Sequence, residues 1–110
     1  MSKYFNKKTI YKGVVYDSKK EAKRAYELEM LQRAGHICNL ERQRRFELQQ
    51  SFKVANKTER AITYIADFYY YDNNKHTWVA EDTKGFRTDV YKIKRKLFLC
   101  KYPEIRFVEL

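Results

Sequence analysis

Two aspartates and a lysine interrupt an alternating segment, "YIADFYYYDNNKHTWVAEDTKG" at 64–85. Apolar and polar residues alternate through it, which predicts two half-buried strands joined by a tight turn. The residues that could do chemistry there are Asp67, Asp82 and Lys84. Two neighbouring carboxylates can share a cation, so their relative position decides whether this segment holds a site.

The predicted turn sets that position. Asn tolerates the positive φ of a tight hairpin turn, so a turn at 73–74 is expected. Asp67 would then face Ala80, and Asp82 would be its diagonal neighbour, with the two Cα atoms roughly 7–8 Å apart. Lys84 would lie on the same face, because side chains alternate with period two. A loop with an odd number of residues would reverse this arrangement.

A second interpretation is open for these residues. Isolated polar residues in strands usually face solvent, and Asp82 with Lys84 would then form only a weak surface pair. The neighbours of the same parity are apolar, however, and Glu81 would point to the other face. These neighbours are Ile65, Tyr69, Tyr71, Trp78 and Ala80. A covered face would bury the carboxylates, which is costly unless they are paired or bind a metal.

Two helices are predicted to flank this hairpin. The first covers 18–34, where Ser18 and Glu21 have capping-box spacing and Gly35 suits the position after the last turn. Glu21 can serve this cap alone or also act in a site. The second helix covers 88–102, is expected to begin with Thr88 as its cap and carries an apolar row. That row is Val90, Ile93, Leu97 and Cys100. Charged residues are expected to keep the rest of the first helix wet: Lys19, Lys20, Lys23, Arg24 and Arg33.

The remaining strands complete the predicted fold. A small hairpin is expected at 9–16, a strand within 37–48, a polar loop at 53–60 and a closing strand at 104–110. The order is a hairpin followed by αβββαβ, which requires a mixed sheet flanked by helices, an α/β or α+β fold. At 110 residues, one domain spanning 1–110 is expected.

The charge of the chain indicates its partners. Lys and Arg number 24 against 14 Asp and Glu, a formal net charge of +10. Such a chain is drawn to polyanions, with nucleic acid the first expectation and an anionic membrane surface the second. The N-terminal segment lacks an apolar core, and no run of residues has the length of a membrane span, so a cytoplasmic protein is expected. Cys38 and Cys100 lack zinc-site or disulfide-framework spacing.

The order of these motifs resembles a known superfamily. The order of a Glu in the first helix, an Asp on one strand and D-x-K on the next strand, followed by a helix, is similar to that of the PD-(D/E)xK nucleases. More closely, "DSKKEAKRAYELEMLQRAG", "ITYIADF" and "EDTKGF" resemble a family of small phage and prophage proteins of unassigned function within that superfamily. The sequence departs from the motif at Ala66, which replaces its proline, and at Asp82, where Glu is commoner.

The resemblance assigns roles to individual residues. It implies that Asp67, Asp82, Lys84 and Glu21 are catalytic, and that Asp67, Asp82 and Glu21 bind Mg²⁺ or Mn²⁺. Such an ion lowers the pKa of a bound water, and Lys84 would orient that water or stabilise developing negative charge. Gln43 is a candidate contact for substrate or water; an exposed strand amide is the simpler interpretation.

The implied function is metal-dependent endonuclease activity on DNA, in phage or prophage DNA processing or recombination, with structure-specific cleavage one form of it. A homodimer would supply two sites for two cuts. The alternatives are a non-catalytic DNA- or RNA-binding module with the same fold and, less favoured, a basic interaction protein. The lysine-rich second helix is either solvated or a phosphate contact. Its candidate nucleic-acid-binding residues are Lys92, Lys94, Arg95 and Lys96.

Overall fold

The structure, a computed structural model, describes residues 8–83 and 87–110, so Lys84 of the predicted site lies outside the described residues. The elements are β1 (Thr9–Tyr11), β2 (Val14–Tyr16), α1 (Lys19–Arg33), β3 (Ile37–Gln49), β4 (Phe52–Val54), β5 (Lys57–Glu59), β6 (Ile62–Asp72), β7 (Thr77–Asp82), α2 (Asp89–Lys101) and β8 (Arg106–Glu109). Neither helix is long and apolar enough to cross a membrane.

A four-stranded mixed sheet forms the centre of the fold, in the order β3-β6-β7-β8. Its strands are antiparallel except for β7 and β8, which are parallel and are connected through α2. Parallel neighbours require such a crossover connection. Two small hairpins, β1–β2 and β4–β5, lie outside this sheet. The predicted mixed α+β architecture is confirmed.

The two helices cover opposite faces of the sheet, because neighbouring strand residues belong to two different core clusters. The cluster on the α1 side contains Tyr16, Ala22, Ala25, Leu28, Ile37, Phe68, Tyr70 and Val79. The cluster on the α2 side contains Phe46, Tyr64, Ala66, Tyr69, Ala80, Tyr91, Phe98 and Ile105. Ala66 and Tyr69 lie three positions apart yet share a cluster, so the strict alternation along β6 breaks between them.

The β6–β7 hairpin is confirmed, but its predicted two-residue turn at 73–74 is wrong. Tyr69 rather than Asp67 pairs with Ala80, so four residues separate the strands and the register moves by two. The same register places Asp67 directly opposite Asp82. The expected diagonal neighbours are therefore direct cross-strand neighbours.

Asp72 explains the longer turn. Its Oδ1 accepts hydrogen bonds from the backbone N–H groups of Asn74 and Lys75, at 2.9 and 3.0 Å. A side chain that binds the backbone in this way stabilises an Asx-type turn. His76 then adopts a positive φ of 54° before β7 begins. The hydrogen bonds to the carboxylate also lower the pKa of Asp72.

The predicted polar loop at 53–60 is wrong, because β4 and β5 form a hairpin there. Ala55 and Asn56 connect the strands with φ values of 48° and 68°. Two consecutive positive φ values are typical of the tight turn that matches the twist of a hairpin. The sequence lacks the glycine that usually signals this turn, whereas the predicted hairpin around Lys12–Gly13 has one and is confirmed.

Both helices begin at the predicted caps. Ser18 Oγ accepts the N–H of Glu21 at 3.1 Å, and Thr88 Oγ1 accepts the N–H of Tyr91 at 3.0 Å. In α2, however, the side chains that pack on the sheet are aromatic, with Tyr91 and Phe98 buried. The apolar row that indicated this helix faces solvent instead.

Candidate functional site

Asp67 and Asp82 form the centre of the candidate site. They lie opposite one another on β6 and β7, where β7 ends, and their residues are only 3% and 0% exposed. Directly opposed residues of an antiparallel pair have Cα atoms about 4.5–5.5 Å apart. The structure thus brings together the two aspartates that the sequence singled out, and it buries both.

Asp67 fixes the chain at the end of β7. Its Oδ2 accepts hydrogen bonds from the backbone N–H and the hydroxyl of Thr83, at 2.8 and 2.9 Å. Thr83 is itself buried. These two bonds therefore fix the residue that directly follows β7.

Asp82 is held by a buried tyrosine. The hydroxyl of Tyr64 donates to Asp82 Oδ2 at 2.6 Å. Burial raises the pKa of Tyr64 well above its ordinary value, and the negative charge of Asp82 raises it further. Tyr64 therefore keeps its proton and acts as a fixed donor to the carboxylate. Sequence reasoning missed this residue, although its place on the same strand as Asp67 was a usable signal.

Glu21 approaches from the beginning of α1 and is 3% exposed. Its Oε2 accepts hydrogen bonds from Arg42 Nη2 and Gln43 Nε2, both at 3.4 Å. The β3–β6 register places Gln43 opposite Asp67. Gln43 thus connects the glutamate of α1 to the β3 position opposite Asp67.

The backbone of Gln43 explains how two consecutive side chains reach one carboxylate. In a regular strand Arg42 and Gln43 would point to opposite faces. Gln43 has φ 56°, in the left-handed region, which interrupts this alternation. Such a conformation is uncommon for a residue other than glycine, and it often occurs at functional sites.

Arg42 also ties the N-terminal hairpin to the site. Its guanidinium lies 4.3 Å from the centroid of the Tyr16 ring and donates to the Val15 carbonyl at 3.1 Å. The same group donates to Glu21. The β1–β2 hairpin therefore supports the position of Glu21 through one arginine.

The three predicted acidic ligands do not form one compact group. Within residues 8–83 and 87–110, no group of three or more His, Cys, Asp or Glu side chains is placed to hold a metal ion. Asp67 and Asp82 supply two carboxylates at one place, and Glu21 is bonded to β3. The pair still fits Mg²⁺, which protein sites commonly bind through one or two carboxylates, completing the octahedron with water and substrate phosphate.

A separate buried ion pair lies beneath α1. Glu81, which is 0% exposed, receives two 2.7 Å hydrogen bonds from Arg24 and a third from the hydroxyl of Tyr70. The hydrogen bonds that Arg24 donates to Glu81 raise the pKa of Arg24. Burial raises the pKa of Tyr70, and its hydrogen bond to Glu81 raises it further. The expectation that Arg24 is simply solvated is wrong, because Glu81 of β7 lies on the sheet face that α1 covers and pairs with it.

The predicted nucleic-acid-binding residues of α2 differ in their surroundings. Lys92 and Lys96 are exposed, and Lys94 is half-buried. Arg95 instead pairs with Glu109 of β8 at 3.3 Å. An intramolecular carboxylate therefore already engages Arg95, which makes the two exposed lysines the better-placed candidates for phosphate contact.

Glu109 accepts hydrogen bonds from several side chains at the end of β8. Besides Arg95, it accepts hydrogen bonds from Tyr91 at 2.5 Å and Arg87 at 2.8 Å. Partial burial raises the pKa of Glu109, but the bonds from Tyr91 and Arg87 outweigh that effect and hold the pKa below its ordinary value. β8 pairs with β7 beside Asp82. The hydrogen bonds to Glu109 therefore stabilise the position of the strand that carries the site.

A family model described as a protein of unknown function (DUF1064) matches residues 1–109. The chain belongs to the DUF1064 family. No curated protein and no solved structure matches the chain. The DUF1064 match includes every candidate site residue, from Glu21 to the basic residues of α2. The predicted relationship to a family of small proteins of unassigned function is confirmed at this level.

Proposed function

We propose that this DUF1064 protein is a metal-dependent nuclease of the PD-(D/E)xK type that acts on DNA. The supporting observation is the pair of buried carboxylates, Asp67 and Asp82, opposite one another at the end of β7. Two adjacent carboxylates repel one another, and burying their charge is costly unless they are paired or bind a metal. A divalent cation held by both would offset that repulsion.

The donor set suits a hard cation. Asp67 and Asp82 would hold Mg²⁺ or Mn²⁺, with Glu21 an additional carboxylate at the edge of the site. A bound ion would neutralise phosphate charge and lower the pKa of a coordinated water. Lys84 follows Thr83 in the motif and is proposed to orient the attacking water or stabilise developing charge.

The surrounding residues keep this arrangement rigid. Thr83 donates twice to Asp67, and Tyr64 donates once to Asp82. Hydrogen bonds of this kind fix the direction of metal-binding carboxylates and are commonly needed for full activity. Gln43, bonded to Glu21, is proposed to contact substrate or water when the site is occupied.

The choice of DNA rests on charge. A chain with a net charge of +10 should bind duplex DNA mainly through phosphates, with an affinity that falls linearly with the logarithm of salt concentration. The exposed Lys92 and Lys96 are proposed contacts. Phage DNA processing and recombination remain the proposed setting, and a homodimer the proposed arrangement for cutting both strands.

Incubation with linear, circular, single-stranded and four-way-junction DNA, in Mg²⁺ or Mn²⁺ and with an EDTA control, tests the proposal. Asp82→Asn keeps an oxygen that can accept from Tyr64 but removes the charge, so it should abolish cleavage without unfolding the chain. Asp89→Asn, at an exposed aspartate of α2, is the matched control and should cleave normally.

Each outcome has a defined meaning. Cleavage by contaminant-free Asp82→Asn protein at the wild-type rate would refute the assigned site. Salt-sensitive binding without cleavage of any of these substrates, in either metal, would favour the non-catalytic DNA- or RNA-binding module instead.

A further inference from the structure

The outer face of α2 carries apolar side chains that the described fold does not bury. Val90 and Ile93 are each 61% exposed, and Leu97 is 40% exposed. Cys100 continues the row and is also exposed. A row of this length on one helix is more than the scattered apolar residues of an ordinary surface, and it is typical of an interaction site.

The spacing of this row is that of a coiled-coil seam. Successive members are three, four and three residues apart, which corresponds to positions a, d, a and d of a heptad. Tyr91 and Phe98, which pack on the sheet, then fall at position b. Positions b and f lie on the side of a helix away from the seam. The helix therefore packs on its own sheet through the side away from the seam, and the seam faces solvent.

Lysines border the seam. Lys94 and Lys101 occupy position e, and Lys96 occupies position g; Asp89 at the first g position is the exception. Residues at e and g select the partner of a coiled coil through their charge. A second copy of α2 would bring these lysines alongside the same lysines, and like charges across an interface oppose association.

Duplex DNA is a poorer match to the whole face. Phosphates can contact the lysines, but the backbone of DNA offers nothing apolar to cover Val90, Ile93 and Leu97. A helix with apolar a and d residues and acidic e and g residues satisfies both features, because it buries the row and pairs with the lysines on either side.

We propose that the outer face of α2, defined by Val90, Ile93, Leu97 and Cys100, is a docking site for an acidic amphipathic helix of a partner protein. It shares Lys96 with the proposed DNA contacts, so the two partners would compete for that side chain, but the observations that support it do not depend on the nuclease proposal. The face lies on the solvent side of α2, away from the two aspartates of the sheet. A bound helix would therefore not contact Asp67 or Asp82.

The test uses the full chain and fluorescein-labelled peptides of three heptads, with binding measured by fluorescence anisotropy. The acidic probe has Ile and Leu at a and d and Glu at e and g. A second peptide has Lys in place of Glu, and a third has the acidic composition in scrambled order. We expect the acidic probe to bind at least roughly tenfold more tightly than either control peptide, a difference of about 1.4 kcal/mol.

Variants identify the surface. Ile93→Asp should weaken binding of the acidic probe by roughly tenfold or more, because it places a charge in the buried seam. Ile10→Asp is the matched control, since Ile10 is an even more exposed isoleucine, at 72%, on β1. It should bind as the wild type does. Replacing Lys94, Lys96 and Lys101 together by Glu should reverse the preference towards the lysine peptide.

Three results would overturn the proposal. Equal binding of the scrambled peptide would show attraction by net charge alone. An equal loss in Ile10→Asp would place binding elsewhere. Sedimentation of the wild type as a dimer that Ile93→Asp dissociates would assign the seam to a second copy of the chain.

Discussion

Removing the hydroxyl of Tyr64 should destabilise the protein strongly for so small a change. Tyr64 donates to Asp82 at 2.6 Å, and the two residues are 3% and 0% exposed. Tyr64→Phe keeps the ring and leaves the buried carboxylate without this donor. A hydrogen bond to a charged group contributes about 1.5–3 kcal/mol, so we expect a loss of about 2 kcal/mol. That is a substantial part of the 5–15 kcal/mol of a typical domain.

Urea unfolding followed by circular dichroism, in EDTA, measures this loss. Tyr26→Phe is the matched control, because Tyr26 is 51% exposed on α1 and should change the free energy of unfolding by less than about 0.5 kcal/mol. Combining Tyr64→Phe with Asp82→Ala, which removes the acceptor, gives a double-mutant cycle, in which residues in contact typically show coupling of about 0.5–3 kcal/mol. A loss from Tyr64→Phe no larger than that of the control, with no coupling to Asp82, would refute the assigned bond.

Three further predictions concern Arg24, Glu109 and Glu21. Arg24→Ala should lower the free energy of unfolding, measured in urea, by about 3–5 kcal/mol, because it leaves Glu81 buried and charged without this partner. An equal loss from a variant of an exposed arginine would contradict this prediction. The pKa of Glu109 in the folded protein lies below its ordinary 4.5, so the stabilisation from Glu109 is complete above pH 4.5 and is lost as the pH falls through the folded value. Glu109→Gln should make the free energy of unfolding fall less steeply with decreasing pH. An unchanged slope would contradict this prediction. Glu21→Gln should retain the helix cap and the melting temperature yet slow cleavage by roughly tenfold, about 1.4 kcal/mol in the barrier, whereas normal cleavage would leave Glu21 a structural role.

Local signals in the sequence were sufficient where one or two residues determine the structure. Ser18 and Thr88 begin helices because their side chains accept N–H groups three residues later, and that spacing is visible in the sequence. Gly13 identified the first hairpin because glycine readily adopts the positive φ, here 77°, that a tight turn requires. The Asn73–Asn74 turn failed because Asp72, just before it, forms a competing turn with its own carboxylate.

Contacts between distant residues were beyond these signals. Arg24 looked solvated within its helix because its partner, Glu81, is 57 positions away in the sequence. The apolar row of α2 indicated a helix correctly but not which side would pack, because the aromatic side chains of Tyr91 and Phe98 fill the space above the sheet. Periodicity therefore predicts that a helix exists more securely than it predicts which side is buried.

The geometry around Gln43 shows how the fold supplies what the sequence cannot express locally. A left-handed conformation at a residue other than glycine costs about 1–2 kcal/mol. Here it lets Arg42 and Gln43, consecutive on an edge strand, donate to the same buried carboxylate of Glu21. Hydrogen bonds to a charged group can offset that cost. The unfavourable backbone therefore persists at the β3 position opposite Asp67, where it brings two donors to the acid of α1.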